Sequence, residues 1–151
     1  MKRYTRKIIG RRELVNFPDL NLTNVEAKID TGAYTSSIHC KEVKRFQKEG
    51  MDYVSFVLLD PGHPLYENKP VEWPLHKIRD VKNSFGAVEK RCTIKTRLSF
   101  FEETSVIEIS LADRSLMDYP LLLGRKAISK KFVVDVSKIH FAPKQKICVF
   151  E

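Results

Sequence analysis

Alternation of apolar and polar side chains with a period of two recurs along this chain and constrains its fold more than any other feature. It is clearest in Val25–Ile29, Cys92–Leu98 and Val106–Leu111, where every second side chain is polar. Successive side chains of an extended chain point to opposite faces, so this pattern is typical of strands with one buried face. The sequence predicts further strands at Lys7–Arg12, Tyr53–Leu59, His76–Arg79, Tyr119–Leu123, Phe132–Val136 and Ile147–Phe150.

Turn signals separate these segments, whereas helical periodicity is scarce. Many short strands with frequent turns predict an all-β barrel or sandwich. One or two short helices are expected, at Lys41–Gln47 and directly after Gly124. Asp60–Pro74 holds four of the seven prolines and is expected to be an irregular surface excursion. The length of 151 residues suits a single domain over 1–151.

The chain carries a formal net charge of +8, which favours anionic partners or a solvated basic face. The basic residues are not interleaved with a base-stacking motif, so nucleic-acid binding is not favoured. No stretch approaches the roughly 18 apolar residues of a membrane span. The basic N-terminus is not followed by an apolar segment, so no signal peptide is expected. Three cysteines are an odd count, which favours reduced thiols and a cytoplasmic location.

The segment VEAKIDTGAYTSSIHC, Val25–Cys40, contains the motif of greatest chemical interest. An alternating strand runs into Asp30, which Thr31 and Gly32 follow. The glycine has no side chain to exclude a second backbone or a substrate, and the threonine hydroxyl can hydrogen-bond across the turn. Asp-x-Gly is also ordinary turn chemistry, so the tripeptide alone is a weak signal.

The surrounding sequence strengthens this signal. Tyr119–Arg125 is an apolar strand that ends in Gly-Arg about ninety residues after Asp30, and Lys82–Val88 has the turn residues of a hairpin tip. This order resembles the retropepsin fold, in which the second strand threads beneath the catalytic turn and the hairpin forms a flap. The resemblance implies a closed barrel.

The chain also resembles, from about Lys7 to Ser137, a bacterial and archaeal family of retropepsin-like proteins labelled ATP-dependent zinc proteases. That family is associated with the ATP-grasp ligase that adds glutamates to ribosomal protein S6. Departures from its pattern include Arg11 in place of tryptophan and Phe85 before Gly86 at the flap tip. The resemblance rests on Ile9-Gly10, Glu13, Ala27–Ala33, Thr35-Ser36, His39, Ser84, Gly86, Glu89, Arg91, Ile107-Glu108, Asp113-Arg114, Met117 and Leu122–Arg125.

The resemblance implies an aspartic-type peptidase with Asp30, Thr31 and Gly32 as catalytic residues. Two facing carboxylates share a proton, one acting as base toward water and the other as acid. The chain has a single Asp-Thr-Gly, so the simplest completion is a homodimer with one aspartate from each copy. The expected substrate-binding residues are Ala33, Ser84, Phe85, Gly86, Arg91, Arg114 and Arg125.

The second carboxylate could instead come from the same chain, from Asp113, Glu108 or Glu89. The alternative for Glu108 and Glu89 is a solvent-facing strand charge. The alternative for Asp113 is a turn-forming ion pair with Arg114.

Arginine pairs with carboxylates through two parallel hydrogen bonds, so a basic cleft would suit an acidic or glutamate-tailed peptide. The alternative for Arg125 is a guanidinium bound to backbone carbonyls. An inactive module that binds acidic tails is the rival function. No cofactor is expected, because the chain has no phosphate-binding glycine loop and no converging zinc-ligand motif. His39 is expected to be structural or to line the site.

Overall fold

A computed structural model describes residues 4–82, 85–115, 117–142 and 147–150 of the chain. One 3-10 turn at Pro18–Leu20 and one short helix, α1 at Arg125–Ile128, accompany the strands in this part. The strands are β1 (Tyr4–Ile9), β2 (Arg12–Phe17), β3 (Leu22–Ile29), β4 (Ser36–Lys48), β5 (Met51–Leu58), β6 (Val71–Pro74), β7 (Lys77–Lys82), β8 (Val88–Phe100), β9 (Glu103–Ala112), β10 (Leu121–Leu123), β11 (Phe132–Val134) and β12 (Ile147–Phe150).

The strands form two sheets. The smaller one has the order β11-β1-β12. In the larger one the short strand β10 pairs with both β3 and β4, so β10, β3, β2, β8, β9 and β4 form a ring of pairings. In this ring β2 and β8 are joined through the register pair of Asn16 and Ser99. The prediction of a mostly β chain is confirmed, and a fully closed barrel stays a prediction.

The core lies inside the ring and is built by the alternation seen in the sequence. On β3 every second residue from Val25 to Ile29 is buried, and Ile94 and Leu98 on β8 are buried likewise. On β9 the pattern changes, because every residue from Ile107 to Ala112 is buried. One face of β9 packs on the core and the other lies beneath neighbouring elements, so this half of the strand has no solvent face.

Two sequence predictions need correction. Lys41–Gln47 is not a helix but the outer half of β4, which pairs with β5 from Lys48 opposite Met51 to Cys40 opposite Leu58. Pairing across the hairpin outweighs the helix propensity of its Lys, Glu, Arg and Gln residues. The excursion at Asp60–Pro74 is irregular only up to its last four residues, which form β6 against β5.

The helix expected after Gly124 is confirmed as α1. Among the described residues there is no helix with the length and apolar character to cross a membrane.

Candidate active site

Strand β3 delivers Asp30 to a tight turn that β10 holds in place. The two strands are parallel, with Leu123 beside Ile29, and the Asp30 backbone N–H donates to the Leu123 carbonyl at 2.9 Å. Within the turn the Gly32 N–H donates to Asp30 Oδ1 at 2.9 Å. Both the backbone and one carboxylate oxygen of Asp30 are therefore fixed, and its other oxygen has no hydrogen bond among the described residues.

Gly124 lies directly beneath this turn. A Cβ at this position would come within 2.6 Å of the Thr35 carbonyl oxygen, so only glycine permits the approach. The Gly124 N–H donates to Ser36 Oγ at 3.1 Å, and the next N–H, of Arg125, donates to the Ala33 carbonyl at 2.8 Å. The close passage of the second strand under the Asp30 turn, which the retropepsin resemblance implies, is confirmed.

The hairpin of β7 and β8 lies over a cleft beside the turn. Its strands pair out to Lys82 opposite Val88, and Phe85 at its tip is 90% exposed. The cleft has a volume of about 650 Å³, within the range of small-ligand sites. Its lining combines both walls with the strands of its floor: Ala33, Tyr34, Thr35, Ser37, Ile78, Arg79, Asp80, Val81, Lys82, Arg91, Ser110, Arg114 and Leu122.

Positive charge dominates the part of the cleft nearest Asp30. Burial lowers the pKa of Arg114, the neighbouring Arg91 lowers it further, and the nearby Asp30 carboxylate opposes both effects. Arg91 is partly neutralised by Glu89, whose Oε1 lies 2.5 Å from its Nε. Arg114 donates from Nε to the Tyr119 carbonyl at 3.2 Å. Its terminal amino groups have no hydrogen-bond partner within the described part of the chain.

His39 positions the loop that carries Arg114. Its buried ring accepts a hydrogen bond from the Arg114 backbone N–H at Nδ1, at 2.6 Å. Because the donor is a main-chain N–H, Nδ1 must be unprotonated, so Nε2 carries the proton and donates to Asp60 Oδ1 at 2.8 Å. These contacts support the expectation of a structural histidine. The hydrogen bond to the Arg114 backbone also means that His39 fixes the loop that brings Arg114 to the cleft.

None of the three acids proposed as an internal second carboxylate bonds to Asp30 among the described residues. Asp113 accepts from Ser115, and Glu89 accepts from Arg91. Glu108 is buried and accepts two hydrogen bonds from Arg79, so the prediction of a solvent-facing charge is wrong for this residue. It fails because Arg79 of β7 and Lys126 of α1 reach this carboxylate with their cationic groups.

The predicted substrate-binding residues separate into two groups. Ala33, Arg91 and Arg114 line the cleft, whereas Phe85 and Gly86 stand at the hairpin tip outside its lining. Ser84 lies outside the described residues.

Arg125 also lies outside the cleft lining, and it supports the Asp30 turn. Its Nη1 donates to the Thr31 carbonyl at 3.0 Å, and its guanidinium lies 5.8 Å from the centre of the Tyr34 ring. This agrees with the carbonyl-binding alternative for Arg125.

Sequence reasoning missed the cleft floor, where Ser37 of β4 stands opposite Ser110 of β9. Both serines stand on the face of their strand opposite the core residues Ile38 and Ile109, so alternation alone gave no signal that they would be buried. The zinc in the family label also finds no match, since no three His, Cys, Asp or Glu side chains in the described ranges cluster as metal ligands would.

A family model described as "RimB-like: Retropepsin-like aspartic endopeptidase RimB" matches residues 8–145. Similar curated proteins are each named "Probable alpha-L-glutamate ligase". The one from Desulfotalea psychrophila is 36% identical over 134 residues, covering 86% of this chain and 28% of the relative. The one from Parasynechococcus marenigrum is 37% identical over 141 residues, covering 90% and 29%. The chain thus spans less than a third of the length of these relatives.

A solved structure is also similar to this chain. It is the crystal structure of a protein of unknown function (DUF785) from Legionella pneumophila subsp. pneumophila str. Philadelphia 1. The two share 26% sequence identity with a TM-score of 0.74, over 89% of this chain and 97% of the other.

Proposed function

Since this chain belongs to the RimB-like family of retropepsin-like proteins, we propose that it is an aspartic-type peptidase in which Asp30 supplies one of two reacting carboxylates. The observation that carries the proposal is the hold on Asp30. Leu123 fixes its backbone from below, Gly32 fixes one of its oxygens, and the basic cleft opens beside it. Such pre-organisation is what a general acid–base residue needs.

A second copy of the chain supplies the partner carboxylate, because the sequence contains one Asp-Thr-Gly and no described acid bonds to Asp30. In this dimer the two Asp30 side chains face each other and share one proton, so their apparent pKa values belong to the pair. The free thiols of Cys40 and Cys92 support a reducing compartment, and we place the protein in the cytoplasm.

The chemistry needs only water and the two carboxylates. Water attacks the amide carbon while the ionised carboxylate takes its proton, and the protonated carboxylate gives its proton to the carbonyl oxygen. The tetrahedral adduct then collapses. The C–N bond breaks as the newly protonated carboxyl delivers a proton to the amine nitrogen, and the other carboxylate takes back the hydroxyl proton.

The substrate is an acidic peptide. The net charge of +8 and the arginines beside Asp30 both favour an anionic ligand. The curated relatives are named as glutamate ligases, which supports a glutamate-rich chain as the substrate and a ligase as the partner.

The test compares the wild type with Asp30→Asn on oligoglutamate and on neutral peptides from about pH 4 to 8. The amide oxygen of the introduced asparagine can still accept the Gly32 N–H, so the fold is retained while the shared proton is lost. Asp52→Asn, at an exposed site on the β4–β5 hairpin, is the matched control. We expect cleavage by the wild type and the control only. Cleavage by Asp30→Asn would exclude the mechanism.

A mixing experiment locates the second carboxylate. If each active site takes one Asp30 from each chain, mixing equal amounts of wild type and Asp30→Asn and letting them exchange subunits lowers the activity per wild-type chain to about half. If the site is complete in one chain, activity per wild-type chain stays constant. Binding of oligoglutamate without cleavage by any variant would instead support an inactive module that docks acidic tails.

A further inference from the structure

Two buried hydroxyl groups form the floor of the cleft and have no hydrogen-bond partner in the part of the chain that the structure describes. Ser37 is 6% exposed and Ser110 is 2% exposed, and they stand side by side in the register of β4 and β9. Neither Oγ has a hydrogen-bond partner among the described residues. A buried polar group without a partner is unfavourable and rare in folded proteins. These two hydroxyls therefore indicate a ligand group that enters the cleft.

The neighbouring strands explain why the hydroxyls face the cleft. Leu122 of β10 and Thr93 of β8 continue the same register row on either side of the two serines. Thr93 satisfies its own hydroxyl by donating to the Lys77 carbonyl at 3.2 Å. In this row the two serine hydroxyls without a partner lie between the apolar Leu122 and Thr93, whose hydroxyl is hydrogen-bonded.

Among the cleft arginines, Arg114 is the one with no acidic side chain hydrogen-bonded to it in the described part of the chain, and Lys82, which also lines the cleft, is exposed on the hairpin. Arg79 is occupied by the buried Glu108, and Arg91 holds Glu89. Arg114 is half-buried and uses only Nε, for the Tyr119 carbonyl. A guanidinium with two free amino groups suits a carboxylate, which it can bind through two parallel hydrogen bonds.

The position of Arg114 is fixed before any ligand arrives. Its backbone N–H is bound to the His39 ring, which Asp60 orients from the other side. A pre-positioned cation loses less freedom on binding than a mobile surface lysine does.

We propose that Ser37, Ser110 and Arg114 form a subsite that binds the side-chain carboxylate of one residue of a bound peptide. The two hydroxyls and the guanidinium donate to the carboxylate oxygens, and Leu122 and Ile78 of the cleft lining contact the methylene groups of that residue. This inference rests on the proposed function, and it names the residues that select an acidic side chain close to the scissile bond.

The test uses an eight-residue oligoglutamate and a set in which one glutamate at a time is replaced by glutamine. Glutamine keeps the shape and removes the charge. For the wild type, one position should respond far more than the others, with kcat/KM falling about tenfold or more through KM. In Arg114→Gln and in the double variant Ser37→Ala/Ser110→Ala this single-position preference should fall below about twofold.

Two further measurements distinguish a loss of the single-position preference from a loss of folding or of activity in general. Thermal unfolding of Ser37→Ala/Ser110→Ala should occur at or above the wild-type temperature, since the change removes unpartnered hydroxyls. Arg97→Gln removes a surface arginine that pairs with Asp19 and should keep the wild-type preference.

Calorimetric binding of the same peptides to Asp30→Asn tests the subsite even if the wild type cleaves nothing. Loss of the glutamate preference on adding Arg114→Gln supports the subsite regardless of catalysis. An unchanged preference in Arg114→Gln, in either cleavage or binding, overturns the subsite and leaves the proposed peptidase function standing.

Discussion

The buried carboxylate of Glu108 joins three elements, so replacing it by glutamine should destabilise the fold strongly. Its side chain is 3% exposed, and Arg79 on β7 binds both of its oxygens, with Nη2 at 2.8 Å from Oε1. Lys126 of α1 and His76, just before β7, each place a nitrogen 3.4 Å from the same Oε1. This one acid fixes the base of the hairpin that lies over the cleft.

The hydrogen bond from Arg79 lowers the pKa of Glu108 from 4.5 to about 2, against burial, and the charge of Lys126 contributes further. A depression of this size corresponds to about 3 kcal/mol of unfolding free energy at neutral pH. Arg79 and Lys126 are 31% and 40% exposed, so solvent screens part of the attraction. We expect Glu108→Gln to cost about 2–3 kcal/mol at pH 7.

The pH dependence follows from the direction of the shift. Because the pKa of Glu108 is lower in the folded chain than in the unfolded chain, the ionised side chain stabilises the fold fully at pH values above about 4.5. This contribution is lost as the pH falls from about 4.5 toward 2. The difference in unfolding free energy between wild type and Glu108→Gln should therefore narrow to about 1 kcal/mol at pH 3.

Urea unfolding of both proteins at pH 7 and pH 3 measures this gap. The matched control is Glu72→Gln on β6, whose ion pair with Lys48 is more than half exposed on both sides. That change should cost less than about 0.5 kcal/mol. Equal costs for the two substitutions, or a gap for Glu108→Gln that does not narrow at pH 3, would refute the reasoning.

Three further predictions concern the rest of the fold. Burial raises the pKa of Cys40 to about 12, so alkylation at pH 8 followed by mass spectrometry should find it unmodified in the folded protein and modified in urea. The partly exposed Cys92, whose pKa burial also raises, should react slowly in the folded protein. Gly124→Ala should lower the unfolding free energy by about 2 kcal/mol or more, whereas Gly62→Ala, with open space around its Cβ, should be nearly neutral; equal effects would contradict the close approach. Glu13→Gln should cost about 2–3 kcal/mol by thermal or urea unfolding, because its partners among the described residues are all backbone N–H groups and an amide would bring a donor against them.

Much of the architecture could be predicted from local pattern. Alternation located the strands around Val25–Ile29 and Cys92–Leu98, and turn residues located the hairpin tip within Lys82–Val88. The resemblance to the retropepsin fold implied that Gly124 would pass beneath the Asp30 turn, as it does. These features depend on short segments or on one close approach that only a glycine allows.

The features that could not be predicted depend on partners distant in the sequence. Glu108 has the pattern of a strand surface charge until Arg79, 29 residues earlier, lies against it. Lys41–Gln47 has the composition of a helix until β5 pairs with it. The unpartnered state of Ser37 becomes visible only when the neighbouring strands are in register. The catalytic role of Asp30 stays a prediction, since it depends on a second chain.

The double pairing of β10 also sets when the site can form during synthesis. Leu121 pairs with Ala27 on one side and with Ile38 on the other, so both partners leave the ribosome more than eighty residues before it does. Contacts of such long sequence separation form late in folding. A nascent chain that ends before Gly124 therefore displays the Asp-Thr-Gly segment without the strand that shapes it, and the turn and cleft take their final form only once that portion of the chain has been released.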